Sequence, residues 1–147
     1  MRIAVGSDHA AIGLREAIAR HLVEAGHDVS CSGPQTGERS DYPDTAAEVA
    51  RAVSSGAQDL GVLCCGTGIG MSIAANKVHG VRAALVHDPF TARMAGMHNG
   101  ANVLCLGGRL LAEPYALDLV DLWLGAPFEE RHQPRLDKIS ALEGQGH

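Results

Sequence analysis

An apolar run that feeds straight into a glycine-punctuated loop and then into a small-residue helix, LGVLCCGTGIGMSIAAN at residues 60–76, limits this chain to few architectures. The segment 60–64 is continuously apolar without helical spacing, as a strand buried on both faces is, and 72–76 reads as the start of the following helix. Between them stand Gly66, Gly68 and Gly70. Glycines at alternate positions let the backbone turn through positive φ and leave N–H groups uncovered, so the loop is suited to wrapping an anion at a helix N-terminus. Cys65 lies on its lip.

The rest of the chain repeats that unit. Strands are expected at residues 2–6, 27–32, 60–64, 81–86 and 103–106, alternating with helices at 11–25, from Asp44 or Thr45 to about 55, beyond the glycine loop, at 89–98 and at 114–124. Gly26 closes the first helix, and Glu48 is spaced for a capping box with Thr45. Parallel neighbours need a crossover, so this alternation predicts an α/β, Rossmann-like three-layer sandwich with a five-stranded parallel sheet. At 147 residues and 46% apolar content the chain is one domain, with residues 129–147 as a charged, helix-compatible C-terminal extension. The polar segment 33–44 is long for a connector, and long loops in compact domains often carry function.

Composition removes several classes. A formal charge of -5 argues against a nucleic-acid partner, and no apolar run approaches the ~18 residues of a membrane helix. Cys31, Cys64, Cys65 and Cys105 form no CxxC or zinc spacing and supply few disulfides for such a length, which points to a reducing, cytoplasmic setting.

In open α/β sheets ligands sit beyond the C-terminal ends of the strands. The candidates there are Ser7, Asp8 and His9, the loop Cys65–Gly70, His87 and Asp88, and Gly107, Gly108 and Arg109, with His98 and Asn99 ending a helix whose place at that rim is open. Adjacent strand residues face opposite ways, so Cys64 and Cys65 do not share a role, and Cys65 is the one positioned to reach a pocket. A thiol beside exposed N–H groups has its thiolate favoured, as a base or nucleophile; the competing reading is a small buried hydrophobe. A Walker loop fails because no Lys-Ser/Thr follows Gly70. A dinucleotide fingerprint fails at Met71, although Asp88 lies where a ribose-binding acid would be. A cradle for a phosphorylated or enolised substrate remains.

Over nearly its whole length the chain resembles the type B ribose-5-phosphate isomerases and their relatives acting on galactose 6-phosphate, allose 6-phosphate and four-carbon sugar phosphates. The resemblance is carried by Gly6-Ser7-Asp8-His9, Glu38-Arg39-Ser40-Asp41-Tyr42-Pro43, Cys65-Gly66-Thr67-Gly68-Ile69-Gly70 with Ser72-Ile73-Ala74-Ala75-Asn76-Lys77, His98-Asn99, Asn102-Val103-Leu104, Gly107-Gly108-Arg109, and Arg131-His132-Gln133 with Arg135. It implies an aldose–ketose isomerase working through a cis-enediol without metal or organic cofactor. By that resemblance Cys65 is the base between C2 and C1, Thr67 lies beside it, and His98 helps to open the furanose ring. Asp8 and Tyr42 contact sugar hydroxyls, the amides of Gly66, Thr67, Gly68, Ile69 and Gly70 hold the enediolate oxygens, and His9, Asn99, Arg109, Arg131 and Arg135 surround the sugar and its phosphate.

One branch of the family uses a glutamate just after the glycine loop; Met71 occupies that place here, which marks the thiol branch. The family's pockets form between subunits, implying a homodimer or a dimer of dimers. Glu129 and Glu130 depart from the small residues common before the first arginine, and carboxylates there weaken anion binding unless they face away. Each role has a structural counterpart: Asp8 as a cap of the first helix, His98 as a helix end, Arg131 and Arg135 as a solvated face, Tyr42 as a packed loop aromatic. A non-catalytic sugar-phosphate or nucleotide sensor on the same fold is the alternative class.

Overall fold

The computed structural model describes residues 1–144; residues 145–147 of the expected C-terminal extension lie outside the described part. Five strands, β1 (Arg2–Ser7), β2 (Asp28–Ser32), β3 (Leu60–Cys65), β4 (Ala83–Leu85) and β5 (Val103–Gly107), form one sheet in the order β2-β1-β3-β5-β4. Every pairing is parallel, with Gly6 opposite Leu63 and Cys65 opposite Gly107. The helices are α1 (Ile12–Glu24), α2 (Tyr42–Ser54), α3 (Ile69–Ala75), α4 (Pro89–Met97), α5 (Glu113–Leu124) and α6 (Gln133–Glu143), the last preceded by a 3-10 turn, Glu130–His132. The expected α/β sandwich with a five-stranded parallel sheet is therefore present, and no helix among the described residues is long and apolar enough to cross a membrane.

The alternation of strand side chains splits the core in two. Ile3, Val5, Val62, Cys64, Leu104 and Leu106 face Leu14, Ile18 and Leu22 of α1 and Leu119, Val120 and Trp123 of α5. Ala4, Leu63, Cys65, Val103 and Cys105 face the other way, toward Ala46, Val49 and Ala50 of α2 and Met71 and Ala75 of α3. On this second face α2 lies very close to the sheet: a Cβ at Gly6 would stand 2.8 Å from Thr45 Cγ2, and one at Gly61 2.8 Å from Val49 Cγ1.

Three elements differ from the sequence expectation by more than one residue at a boundary. The second helix starts at Tyr42, because Asp41 is extended and Pro43 in the first turn has its φ already set for a helix. Thr45 is thereby inside the helix and buried, and Glu48 takes the Ser32 hydroxyl at 3.0 Å, so there is no capping box. The fourth strand keeps only Ala83–Leu85, as an edge strand with one neighbour, and α3 starts at Ile69, which makes Gly70 helical. Gly26 does close α1, at φ 87° with its N–H on the Val23 carbonyl.

Candidate active site

The neighbours β1 and β3 connect to elements on opposite sides, so a crevice opens beyond their C-terminal ends. A cavity of about 420 Å³ lies there, lined by Asp8, His9, Ala10, Tyr42, Cys65, Gly66, Thr67, Ile69, Gly70, Ile73 and Arg109. Three loops after strands and the first residue of α2 thus converge on one volume. Ala10 and Ile73 escaped sequence reasoning because apolar wall residues carry no chemical signal.

Cys65 ends β3 and is only 5% exposed, yet it opens on this cavity. Its sulfur receives the Gly68 N–H at 3.1 Å. Cys64 and Cys105 are sealed inside, and burial pushes both thiols far up, so neither acts as a base near neutral pH.

The glycines of the loop serve different ends. Only Gly68 has positive φ, at 78°, and it lies beneath the pocket, where a Cβ would stand 2.5 Å from Leu85 Cδ1. Its amide donates to the Cys65 sulfur. Gly66 and Gly70 have ordinary φ and are small because side chains lie on them: a Cβ at Gly66 would be 3.1 Å from Arg109 Nη1, and one at Gly70 2.6 Å from the Tyr42 ring. Among the described residues the N–H groups of Gly66, Thr67 and Gly70 have no acceptor within the chain, while that of Ile69 is held by Thr67 Oγ1 at 3.3 Å. Arg109 is placed by the chain leaving β5, its N–H on the Gly66 carbonyl at 3.0 Å.

Asp8 is buried and accepts the Ala10 N–H at 2.9 Å, a turn ahead of α1 whose N-cap position is Ala11; it does not cap the helix itself. His9 is held by Ser40, whose hydroxyl takes the His9 N–H at 3.1 Å while its own backbone brackets Nδ1 at 3.2 Å. Asp88, weighed as a ribose-binding acid, is instead the N-cap of α4, accepting the Thr91 N–H at 2.8 Å. That backbone bond and the Thr91 hydroxyl hold its carboxyl below the usual range.

His98, Asn99, Arg131 and Arg135 do not line this cavity. Helices between parallel strands run back against them, so α4 ends at the opposite edge of the sheet, where strands begin. There Asn102 accepts the Gly61 N–H through its carbonyl and the Arg82 N–H through its side chain, and Asn99 lines a separate cavity of about 240 Å³ with Asn76, Arg82 and Ile139. His98 caps the end of α4 and stacks on His132, ring centroids 4.3 Å apart. Glu129, anchored by its N–H to the Met97 carbonyl, does not face away: it takes Arg131 Nε at 2.6 Å and stands 3.9 Å from His98 and 3.5 Å from His132. Glu130 is exposed.

Arg135 Nη1 lies 3.1 Å from His132 Nδ1. A guanidinium only donates, so Nδ1 is the acceptor and the ring proton sits on Nε2, toward Glu129. Burial first, then the Arg131, His98 and Arg135 charges, lowers the His132 pKa and keeps the ring neutral. The ligating atoms of His98, Glu129 and His132 lie within 4.8 Å of one another, but an inward N–H makes His132 a donor to an anion and not a ligand to a cation.

A thiol at a strand end, a neighbouring loop of unpaired amides and an arginine over that loop define an α/β enzyme site built to hold oxyanions. The Ribose/Galactose Isomerase family pattern matches residues 3–139, and the chain belongs to that family of sugar-phosphate isomerases. It is 46% identical to ribose-5-phosphate isomerase B of Escherichia coli (strain K12) over 143 residues, covering 97% of this chain and 96% of that protein. It is 42% identical over 147 residues to D-erythrulose-4-phosphate isomerase of Pectobacterium atrosepticum, covering 99% and 97%. Ribose-5-phosphate isomerase B of Clostridium thermocellum superposes with a TM-score of 0.96 at 46% identity, covering 99% of both chains.

Proposed function

We propose that this isomerase interconverts ribose 5-phosphate and ribulose 5-phosphate through a cis-enediol, with Cys65 as the base. The observation that carries the reading is the opening of the Cys65 sulfur onto a cavity beside the unpaired amides of Gly66, Thr67 and Gly70. The thiolate takes the C2 proton of the open-chain aldose, the electron pair moves to the carbonyl oxygen, and the amides hold the enediolate. Return of the proton from sulfur to C1 gives the ketose. Thr67 Oγ1 accepts from Ile69, which leaves its hydrogen free to shuttle between O1 and O2. A thiol is a weak base for a carbon acid, so the amides matter as much as the sulfur; one such donor is worth on the order of 10²–10³ in rate.

Asp8 and Tyr42 take sugar hydroxyls, and His9 and Arg109 close round them. His98, Asn99, Arg131 and Arg135 act on the same substrate from a second copy. β5 has 5 residues. At about 3.3 Å rise each it separates the two edges of the sheet by about 16 Å, more than one pentose phosphate spans. A homodimer that lays one chain's strand-start edge over the other's Cys65 pocket completes the site, and ring opening by His98 follows from it.

Turnover of four-, five- and six-carbon sugar phosphates by the native protein and Cys65→Ala tests the reading. The five-carbon pair should have the highest kcat/KM, and Cys65→Ala should keep fold and binding while losing on the order of 10²–10⁴ in rate. Full activity in that variant overturns the base; preference for the four-carbon pair, the chemistry named for the Pectobacterium relative, overturns the substrate. Mixing inactive Cys65→Ala with inactive His98→Asn should restore activity through mixed dimers, and no restoration overturns the shared pocket.

A further inference from the structure

The oxygen of Glu129 that faces Arg131 is surrounded by nitrogen: Arg131 Nε at 2.6 Å and its Nη2, His132 Nε2 at 3.5 Å and His98 Nε2 at 3.9 Å. The His132 side chain is only 3% exposed, and its Nε2, the protonated nitrogen, has no hydrogen-bond partner within the described residues. A buried donor left short of its acceptor is costly, and here it is aimed at an oxygen just out of range. The arrangement is an anion site whose occupant is supplied by the chain itself.

We propose that Glu129 is a resident anion of the His98–Arg131–His132 cluster, displaced when a phosphate arrives, so that it sets the affinity and selectivity of this half of the site for phosphorylated ligands. The proposal rests on the functional reading above, in which Arg131 and Arg135 of a second copy act on the sugar phosphate, and takes its phosphate group as the part they meet. A phosphate dianion brings more charge and more acceptor oxygens than one carboxylate, so it satisfies Arg131 and the idle His132 Nε2–H together. A weaker monoanion cannot offset release of the Glu129–Arg131 pair. The anchor of the Glu129 N–H on the Met97 carbonyl leaves only the side chain to swing aside.

Inorganic phosphate is the probe, titrated calorimetrically at low ionic strength into the native protein, Glu129→Gln and Arg131→Gln. Glu129→Gln keeps an acceptor for Arg131 and removes the competing charge. It should bind phosphate roughly three- to tenfold more tightly, a modest gain because the pair is partly exposed and screened, and KM for the sugar phosphate should fall with it. Glu129→Ala, as a second variant, should move the same way. Unchanged or weaker phosphate binding in the soluble Glu129 variants, with Arg131→Gln weakening it, overturns the proposal alone. No effect of Arg131→Gln on phosphate overturns the phosphate assignment of the cluster, and the proposal with it.

Discussion

Gly70→Ala should separate stability from activity. The added Cβ would lie 2.6 Å from Cε2 and Cζ of Tyr42. Carbon atoms meet at about 3.5–4.0 Å, so the ring has to retreat by about 1 Å. It is free to do so, because Tyr42 is 41% exposed, while Gly70 has an ordinary φ and lies in the first turn of α3. Alanine is favoured over glycine in a helix by up to about 1 kcal/mol, so stability should hold or rise, by no more than ~4 °C in Tm for a chain of this size. A misplacement of ~1 Å in a substrate-positioning group costs on the order of 10²-fold, so kcat/KM should fall by about one to two powers of ten. Thermal denaturation followed by circular dichroism and steady-state isomerisation kinetics measure the two effects. In a Tyr42→Ala background the second substitution should add little, since the two act through one contact. A clear drop in Tm, or an unchanged kcat/KM, would refute the idea that Gly70 is small to seat the tyrosine.

Gly68→Ala should behave in the opposite way. It combines a φ of 78° with a Cβ 2.5 Å from Leu85 and 2.9 Å from the Leu106 carbonyl carbon, where backbone cannot yield, so chemical denaturation should reveal a loss of about 2–4 kcal/mol, and a loss under ~1 kcal/mol would contradict it. Asp88→Ala should lower Tm at neutral pH. The folded-state pKa of Asp88 is depressed, so its contribution is present above the unfolded value near ~3.9 and fades as pH falls through the folded one. The Tm gap to the native protein should therefore close in acid, and a gap that persists there would count against the cap.

The sheet and half of the site were legible because their signals are local. Residues 60–64 had to be a doubly buried strand, the loop after it had to sit at a sheet end, and the parity of a strand separated Cys65 from Cys64. Which glycine had which purpose was not legible: spacing cannot tell a positive-φ glycine such as Gly68 from Gly66 and Gly70, which are small for Arg109 and Tyr42 to lie against. The distance of His98 from the pocket was hidden in helix direction, which becomes meaningful only once α4 is known to return to the strand-start edge. Glu129 was flagged as a departure, but its inward aim depends on its anchor to Met97, a contact made across 32 positions of chain that no pattern encodes.

The two faces of the sheet explain why the pocket is where it is. One face is packed by large side chains such as Ile18 and Leu22 of α1 and Leu119 and Trp123 of α5. The other mixes Val49, Leu63, Met71 and Val103 with the small residues Ala46, Ala50 and Ala75 over Ala4, Cys65 and Cys105, and has bare backbone at Gly6 and Gly61 where α2 crosses. Small residues let α2 and α3 settle close to the strands and to each other, so the N-terminus of α2 brings Tyr42 onto Gly70 at the N-terminus of α3. The wall of the cavity is thus a consequence of core packing on that face. A bulky residue at Gly61 would lift α2 through Val49 and carry Tyr42 away from the thiol without touching the cavity itself, which is why residues far beneath the pocket bear on its chemistry.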